Sequence, residues 1–292
     1  MNPVDGNISP MISHPAHSGM NFKTSDGVTL FYRIDGDGPA LMMLSGIWSD
    51  TTSWNAQVRD FAEHFTCIRL DHRGIGQSEK WVGEYSYDLH ARDAKDLLDH
   101  LGLTSASVLG ACHGGMAAVT LAKRYPGSVR ALCINATQLL GSERFRQMYL
   151  GWKRILETSD FETLYTVIMP TIMSDHWLSR NRDRLPSLLQ AIEERIEFSA
   201  AQRMVDALVA YATSGLTPAE IASIDIPALI MASAEDRFIP PKVIHAECQF
   251  WPNATYHLFE NSGHFPQREV PETYNSVVFD FLQSLTDSGT LT

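Results

Sequence analysis

Positive charge is in short supply. The chain carries 23 Lys and Arg against 34 Asp and Glu, a net charge of −11. Such a surface repels phosphate backbones and anionic lipid headgroups, so neither nucleic acid nor membrane is an expected partner. No apolar run approaches the roughly 20 residues that cross a bilayer as a helix. Residues 1–20 contain Pro3, Pro10 and Pro15 but lack the basic start and apolar middle of a secretory signal. They read as a loose tail, and the expected location is the cytoplasm. Cysteine is scarce as well. Cys67, Cys112, Cys133 and Cys248 lie too far apart for a local metal knuckle, and a chain of this size needs no disulfide frame. No internal repeat is present.

What remains is an ordinary globular composition, 44% hydrophobic and 20% charged over 292 residues. That suits one large α/β domain with an insertion. Strand-like runs rich in β-branched and aromatic residues occur at 28–33, 40–44, 66–70, 105–109, 129–134, 226–232 and 254–259. Helical periodicity separates them at 87–101, 116–125, 243–250 and 273–285. This alternation predicts a mostly parallel sheet covered on both faces. Between 138 and 215 strand texture vanishes and helical texture replaces it. The expected organisation is a tail at 1–20, an α/β core at 21–137 and 216–292, and a helical cap at 138–215.

The densest signal is Gly110-Ala111-Cys112-His113-Gly114-Gly115. It joins an apolar strand to a helix through a very tight turn, in the frame Gly-x-nucleophile-x-Gly. Small residues let the turn close, and the turn lifts the central side chain into a pocket. Cysteine stands where serine is usual. A thiol is only partly ionised at neutral pH, so it needs a base or a positive neighbourhood. Two later loops offer partners: Asp236, after the run 226–232, and His264, after 254–259. The chain order nucleophile, acid, histidine suits this architecture.

Four motifs in sequence now carry a resemblance. They are Ser45-Gly46 after a strand, Asp71-x-Arg73-Gly74-x-Gly76-x-Ser78, the elbow, and the Asp236 and His264 loops. Together they resemble the α/β-hydrolase superfamily, especially its small capped esterases, enol-lactonases and C–C bond hydrolases, over 22–285 and most thinly in the cap. The resemblance implies an α/β-hydrolase fold with a helical cap. It implies Cys112 as nucleophile, His264 as base and then acid, and Asp236 as the group orienting the imidazole. The oxyanion hole would use the backbone N–H groups of Ile47 and His113. No metal and no organic cofactor is implied.

Two departures matter. Ser45 replaces the usual histidine of the first oxyanion loop, which removes that residue's bracing hydrogen bonds. Cys112 replaces serine, as in dienelactone hydrolases and the lipase-like box of polyester synthases. The expected partner is a small-molecule acyl substrate: an ester, lactone or thioester with an apolar acyl or aromatic group. An acyltransferase or C–C condensing enzyme would use the same residues. A cofactor-free lyase or dioxygenase would use His264 and Asp236 without a covalent step, and a binding protein would keep only the pocket.

Each residue also has a plainer role open to it. Cys67, Cys133 and Cys248 read as core hydrophobes. Asp236 could cap a helix before Pro240-Pro241, and Glu235 competes with it as the acid. His72 and Arg73 belong to a loop-ordering motif. The side chain of His113 could bind substrate or only pack. Trp48, Trp152 and Trp177 are candidate substrate-binding residues, amid cap residues such as Tyr149, Tyr165 and Ile168 that also serve helix packing.

Overall fold

The computed structural model describes residues 19–287. Eight strands form one sheet: β1 (Gly19–Lys23), β2 (Thr29–Asp35), β3 (Ala40–Leu44), β4 (Thr66–Leu70), β5 (Ala106–Ala111), β6 (Val129–Asn135), β7 (Ala228–Ser233) and β8 (Ala254–Phe259). Their order is β1-β2-β4-β3-β5-β6-β7-β8. Strand β2 is antiparallel to β1 and β4, and every pair from β4 to β8 is parallel. Seven strands follow the sequence reading. The eighth, β1, takes Gly19 and Met20 out of the expected tail; the rest of that tail lies outside the described residues.

Period-two alternation sorts the sheet into two cores. Met42, Leu44, Val108, Leu132 and Ile230 face one large apolar cluster. Leu41, Met43, Leu109, Leu229 and Met231 face a second, smaller one. The core helices are α1 (Asn55–Phe61), α2 (Tyr87–His100) and α3 (His113–Arg124). The insertion holds α4 (Glu143–Thr158), α5 (Phe161–Ile172), α6 (Asp175–Arg180), α7 (Leu185–Glu193) and α8 (Phe198–Ser214). After it come α9 (Pro218–Ala222), α10 (Pro241–Cys248), α11 (Pro266–Glu269) and α12 (Pro271–Asp287). Helix α2 starts where the Ser86 hydroxyl accepts the Leu89 N–H at 3.1 Å. It buries Ala91, Ala94, Leu97 and Leu98 in the larger cluster. Helices α1 and α12 cover the other face through Val58, Phe61, Tyr274, Val278 and Leu282.

Cys67 and Cys133 are buried members of the smaller cluster. Burial pushes the Cys67 thiol up to about 12 and that of Cys133 up as well. Both are core hydrophobes, as their apolar runs suggested.

The insertion leaves the core after Leu140 and returns at Gly215, where the two passes of chain touch: Leu140 bridges Gly215 and Leu216. Gly215 has φ +55, and a Cβ there would stand 2.0 Å from the Gly141 nitrogen. Buried Glu247 of α10 ties this crossing to the core by accepting the Leu139 N–H at 2.8 Å and the Leu140 N–H at 3.0 Å.

Candidate active site

Three parallel strands, β5, β7 and β8, end on one edge of the sheet, and each is followed by a loop bearing one chemical group. After β5, Cys112 adopts φ 50 and ψ −112, a backbone conformation costly for a non-glycine residue. Glycines around it permit the turn. A Cβ on Gly110 would lie 2.7 Å from the Gly114 oxygen, and one on Gly114 would lie 2.1 Å from the Leu44 oxygen. Cys112 donates its backbone N–H to the Asn135 carbonyl at 2.9 Å, which locks the elbow to β6. Helix α3 begins at the next residue, so its positive N-terminal end lies beside the sulfur.

After β7, Asp236 is buried, and its Oδ1 accepts the N–H groups of Phe238 and Ile239 at 2.9 Å each. Asp236 caps no helix, since the helix after Pro240 starts without a side-chain cap; Oδ1 orders the loop and Oδ2 is left for His264 Nδ1, 2.7 Å away. Glu235 is half-exposed and makes no contact with the imidazole; its backbone N–H goes to the Ser262 carbonyl. After β8, His264 is 1% exposed. Burial acts to lower its pKa, but the Asp236 carboxylate and the adjacent Cys112 sulfur outweigh that and raise it to about 10. The imidazolium is thus the favoured form at neutral pH, with a carboxylate on one side and Cys112 on the other.

The insertion is stitched to both later loops. The last carbonyls of α5 have no helical partners. Thr171 accepts the N–H groups of Arg237 and Phe238 at 3.1 and 3.0 Å, and Ile172 accepts that of His264 at 2.6 Å. Glu269 accepts the Gly263 and Ser174 N–H groups, each at 3.1 Å.

In the loop after β3, which the resemblance offers as the first oxyanion loop, Ile47 is followed by Trp48 with φ 60. The backbone N–H groups of Ile47 and His113 donate to no described residue. Bracing lost with the family's histidine is supplied differently. Ser45 Oγ donates to the Asp50 carbonyl at 3.1 Å and lies 2.9 Å from Ser53 Oγ. Asp71 accepts the Thr51 N–H at 2.6 Å and the Gln77 N–H at 2.9 Å, tying the loop to the second motif. Arg73 of that motif is fully buried between Asp93 and Asp26, a structural role. The His113 ring turns away from the sulfur. Its Nδ1 lies 3.0 Å from the Tyr87 hydroxyl, and its ring packs against His90 and His72 at 4.7 and 5.4 Å. Burial, then the neighbouring His72, hold it well below the usual histidine range. Only its backbone faces the site.

Cys112 and His264 share a narrow, partly enclosed cavity of about 30 Å³. Wider recesses on the surface touch neither residue nor Asp236. An aromatic chain walls the cavity: His264 meets Phe238 at 5.1 Å, Phe238 stacks on Trp152 at 5.1 Å, and Trp152 meets Trp48 at 5.9 Å. Ile47, Trp48 and Trp152 line it. Trp177 does not: it sits half-buried on α6, packed against the large core cluster. Phe238, Phe265 and Leu208 line it without having been singled out. Two of these flank the polar loop residues Asp236 and His264, and that adjacency was the available signal.

The α/β-hydrolase family model matches residues 39–271, which covers most of the chain and all three loops. The chain belongs to the α/β-hydrolase fold family. It is 26% identical to a putative carbamate hydrolase, RutD, of Caulobacter segnis over 249 residues, 83% of this chain and 91% of that one. Among solved structures, an α/β hydrolase from a Medee basin deep-sea metagenome superposes with a TM-score of 0.82 at 25% identity, over 90% of this chain and 97% of that one. The enol-lactonase of Burkholderia xenovorans gives a TM-score of 0.80 at 23% identity, over 90% and 100%. Within this α/β-hydrolase, no helix among the described residues is long and apolar enough to cross a membrane.

Proposed function

We propose that this α/β-hydrolase cleaves an ester, lactone or thioester with an apolar acyl or aromatic group through an acyl-enzyme on Cys112. The observation that carries the reading is the aligned set of Asp236, His264 and Cys112: a 2.7 Å carboxylate–imidazole contact, with the imidazole raised to about 10 beside the sulfur.

The Cys112 thiolate attacks the acyl carbon, forming a C–S bond and placing negative charge on the former carbonyl oxygen. The N–H groups of Ile47 and His113 receive that oxyanion; losing one such donor typically costs about 3–4 kcal/mol in the barrier. As the C–O or C–S bond to the leaving group breaks, His264 passes it a proton. Water then attacks the thioester, His264 takes up its proton, and the thiolate departs with the C–S bonding pair. Asp236 keeps the imidazole oriented throughout. The site is carried in the cytoplasm on this reading.

A second reading keeps every step but replaces water by an alcohol, amine or carbanion, which makes the protein an acyltransferase or C–C condensing enzyme. The tight aromatic enclosure around the sulfur favours retaining it, because exclusion of bulk water lengthens the life of a thioester. Product analysis of the same thioester with and without an added acceptor separates the two. Hydrolysis predicts free acid regardless of acceptor; transfer predicts a conjugate and stalled release without it.

A further inference from the structure

The polar inventory of the catalytic cavity is lopsided. Among the described residues that line it, none has a carboxylate or carboxamide side chain. Its walls carry instead two phenols and two indoles: Tyr149 and Trp152 of α4, Tyr165 of α5, and Trp48 of the oxyanion loop. Neither phenol hydroxyl makes a hydrogen bond to another described residue. The indole nitrogen of Trp48 is buried without a partner. Tyr149 is 2% exposed. It packs against Trp152 at 5.3 Å and Phe238 at 6.1 Å. Burial, and after it the charge of Cys112, push its phenol well above the usual tyrosine range. The hydroxyl therefore keeps its proton beside the nucleophile.

Buried phenols elsewhere in the chain are satisfied. Tyr87 reaches His113 at 3.0 Å, Tyr274 reaches Asn135 at 2.9 Å, and Tyr211 reaches the Leu139 carbonyl at 3.1 Å. Tyr149 is the buried phenol that lacks such a partner, and it lines the cavity of Cys112. A hydrocarbon acyl chain seated there would strand each donor away from water, at the full cost of an unmade buried hydrogen bond. Phenylalanine would pack as well and avoid that cost.

We infer that the cavity selects an acyl group bearing its own oxygen acceptor, a keto, enolate or phenolic oxygen, and that Tyr149 donates to it. This rests on the proposed acyl transfer at the same site and adds the substrate class. A site built to bond a substrate oxygen rejects the analogue lacking it far more strongly than an apolar wall rejects a size change.

Matched N-acetylcysteamine thioesters test this: 3-phenylpropanoyl against 3-oxo-3-phenylpropanoyl. Each kcat/KM is divided by the thioester's own hydroxide-catalysed rate to remove intrinsic reactivity. The wild-type ratio should favour the oxo substrate by about tenfold or more, and Tyr149→Phe should bring it close to unity. A binding arm is independent of turnover. Calorimetry on Cys112→Ala should show tighter binding of 1-phenylbutane-1,3-dione than of the hydrocarbon-chain ketone 4-phenylbutan-2-one, and Tyr149→Phe in that background should erase the difference. Equal wild-type ratios, or a preference that survives Tyr149→Phe in both arms, overturns the inference. If Tyr149→Phe does not fold, the wild-type ratio and the Cys112→Ala binding difference decide alone. Failure of the covalent reading shows separately, as absence of acylated Cys112 while the binding difference persists.

Discussion

At the residue scale the proposed chemistry turns on one sulfur among four. Cys67, Cys133 and Cys248 are each raised by burial, so they resist ionisation. Cys112 alone sits at a helix N-terminus beside the His264 imidazole. Limiting iodoacetamide at neutral pH should label Cys112 first, with activity falling in proportion; peptide mapping after partial inactivation checks this, and prior labelling of Cys248 would count against it. The raised His264 also fixes a pH profile. Its folded pKa, about 10, stands above the ordinary 6.5. The imidazolium and its pairing are fully present below 6.5 and are lost as pH rises through 10. The wild-type rate should hold from neutral pH upward and fall as pH passes about 10. In Cys112→Ser an oxygen nucleophile needs a neutral imidazole, so that alkaline fall should be replaced by an acid-side loss. A wild-type profile that rises monotonically past pH 10 would speak for a neutral histidine at rest.

At the element scale the site depends on how closely backbones approach and on how the insertion is anchored. Gly114→Ala places a methyl 2.1 Å from the Leu44 carbonyl. It should destabilise the fold and cut turnover even though it touches no reacting atom, as denaturant melts and kinetics of the variant would show. Glu247 anchors the crossing where the insertion leaves the core. Burial raises it from 4.5 to about 7, against the pull of the Leu139 and Leu140 N–H groups. A carboxyl raised in the folded state contributes stability below pH 4.5 and loses it as pH climbs through 7. Glu247→Gln should therefore remove that pH dependence between 4.5 and 7. It should also cost about 1–3 kcal/mol, because one of the two N–H groups then faces an amide donor. Urea melts across this range test both statements, and an unchanged slope would remove Glu247 from the account.

At the scale of the whole molecule, most of the fold was legible in the chain. Parallel strands buried on both faces read as short apolar runs, and the elbow, Asp236 and His264 fall at their C-terminal ends because the fold puts loops there. What the sequence hid has physical causes. Strand β1, with pattern Gly19-Met20-Asn21-Phe22-Lys23, buries only Phe22, too little to stand out from a tail. Trp177 looked like a pocket residue because it is large and lies in the insertion, yet which face of a cap helix meets the sulfur is a tertiary fact. The same reason concealed the unpaired Tyr149 hydroxyl. The compensation at Ser45 lies in hydrogen bonds to Asp50 and Ser53, residues that carry no signature of that role. On the proposed mechanism Asp236 and His264 act as one unit with Cys112, so Asp236→Ala with His264→Ala should cost little more than His264→Ala alone; losses that multiply would deny a shared mechanism.

The most direct test of the central claim is rapid-quench intact-mass spectrometry during turnover of an activated thioester, run in parallel on wild type and Cys112→Ala. The account predicts an acyl adduct on wild type that maps to Cys112 and forms at least as fast as steady-state turnover. It predicts a folded Cys112→Ala protein with neither adduct nor turnover. Near-full activity in Cys112→Ala would contradict covalent catalysis and leave the His264–Asp236 pair as a cofactor-free acid–base device.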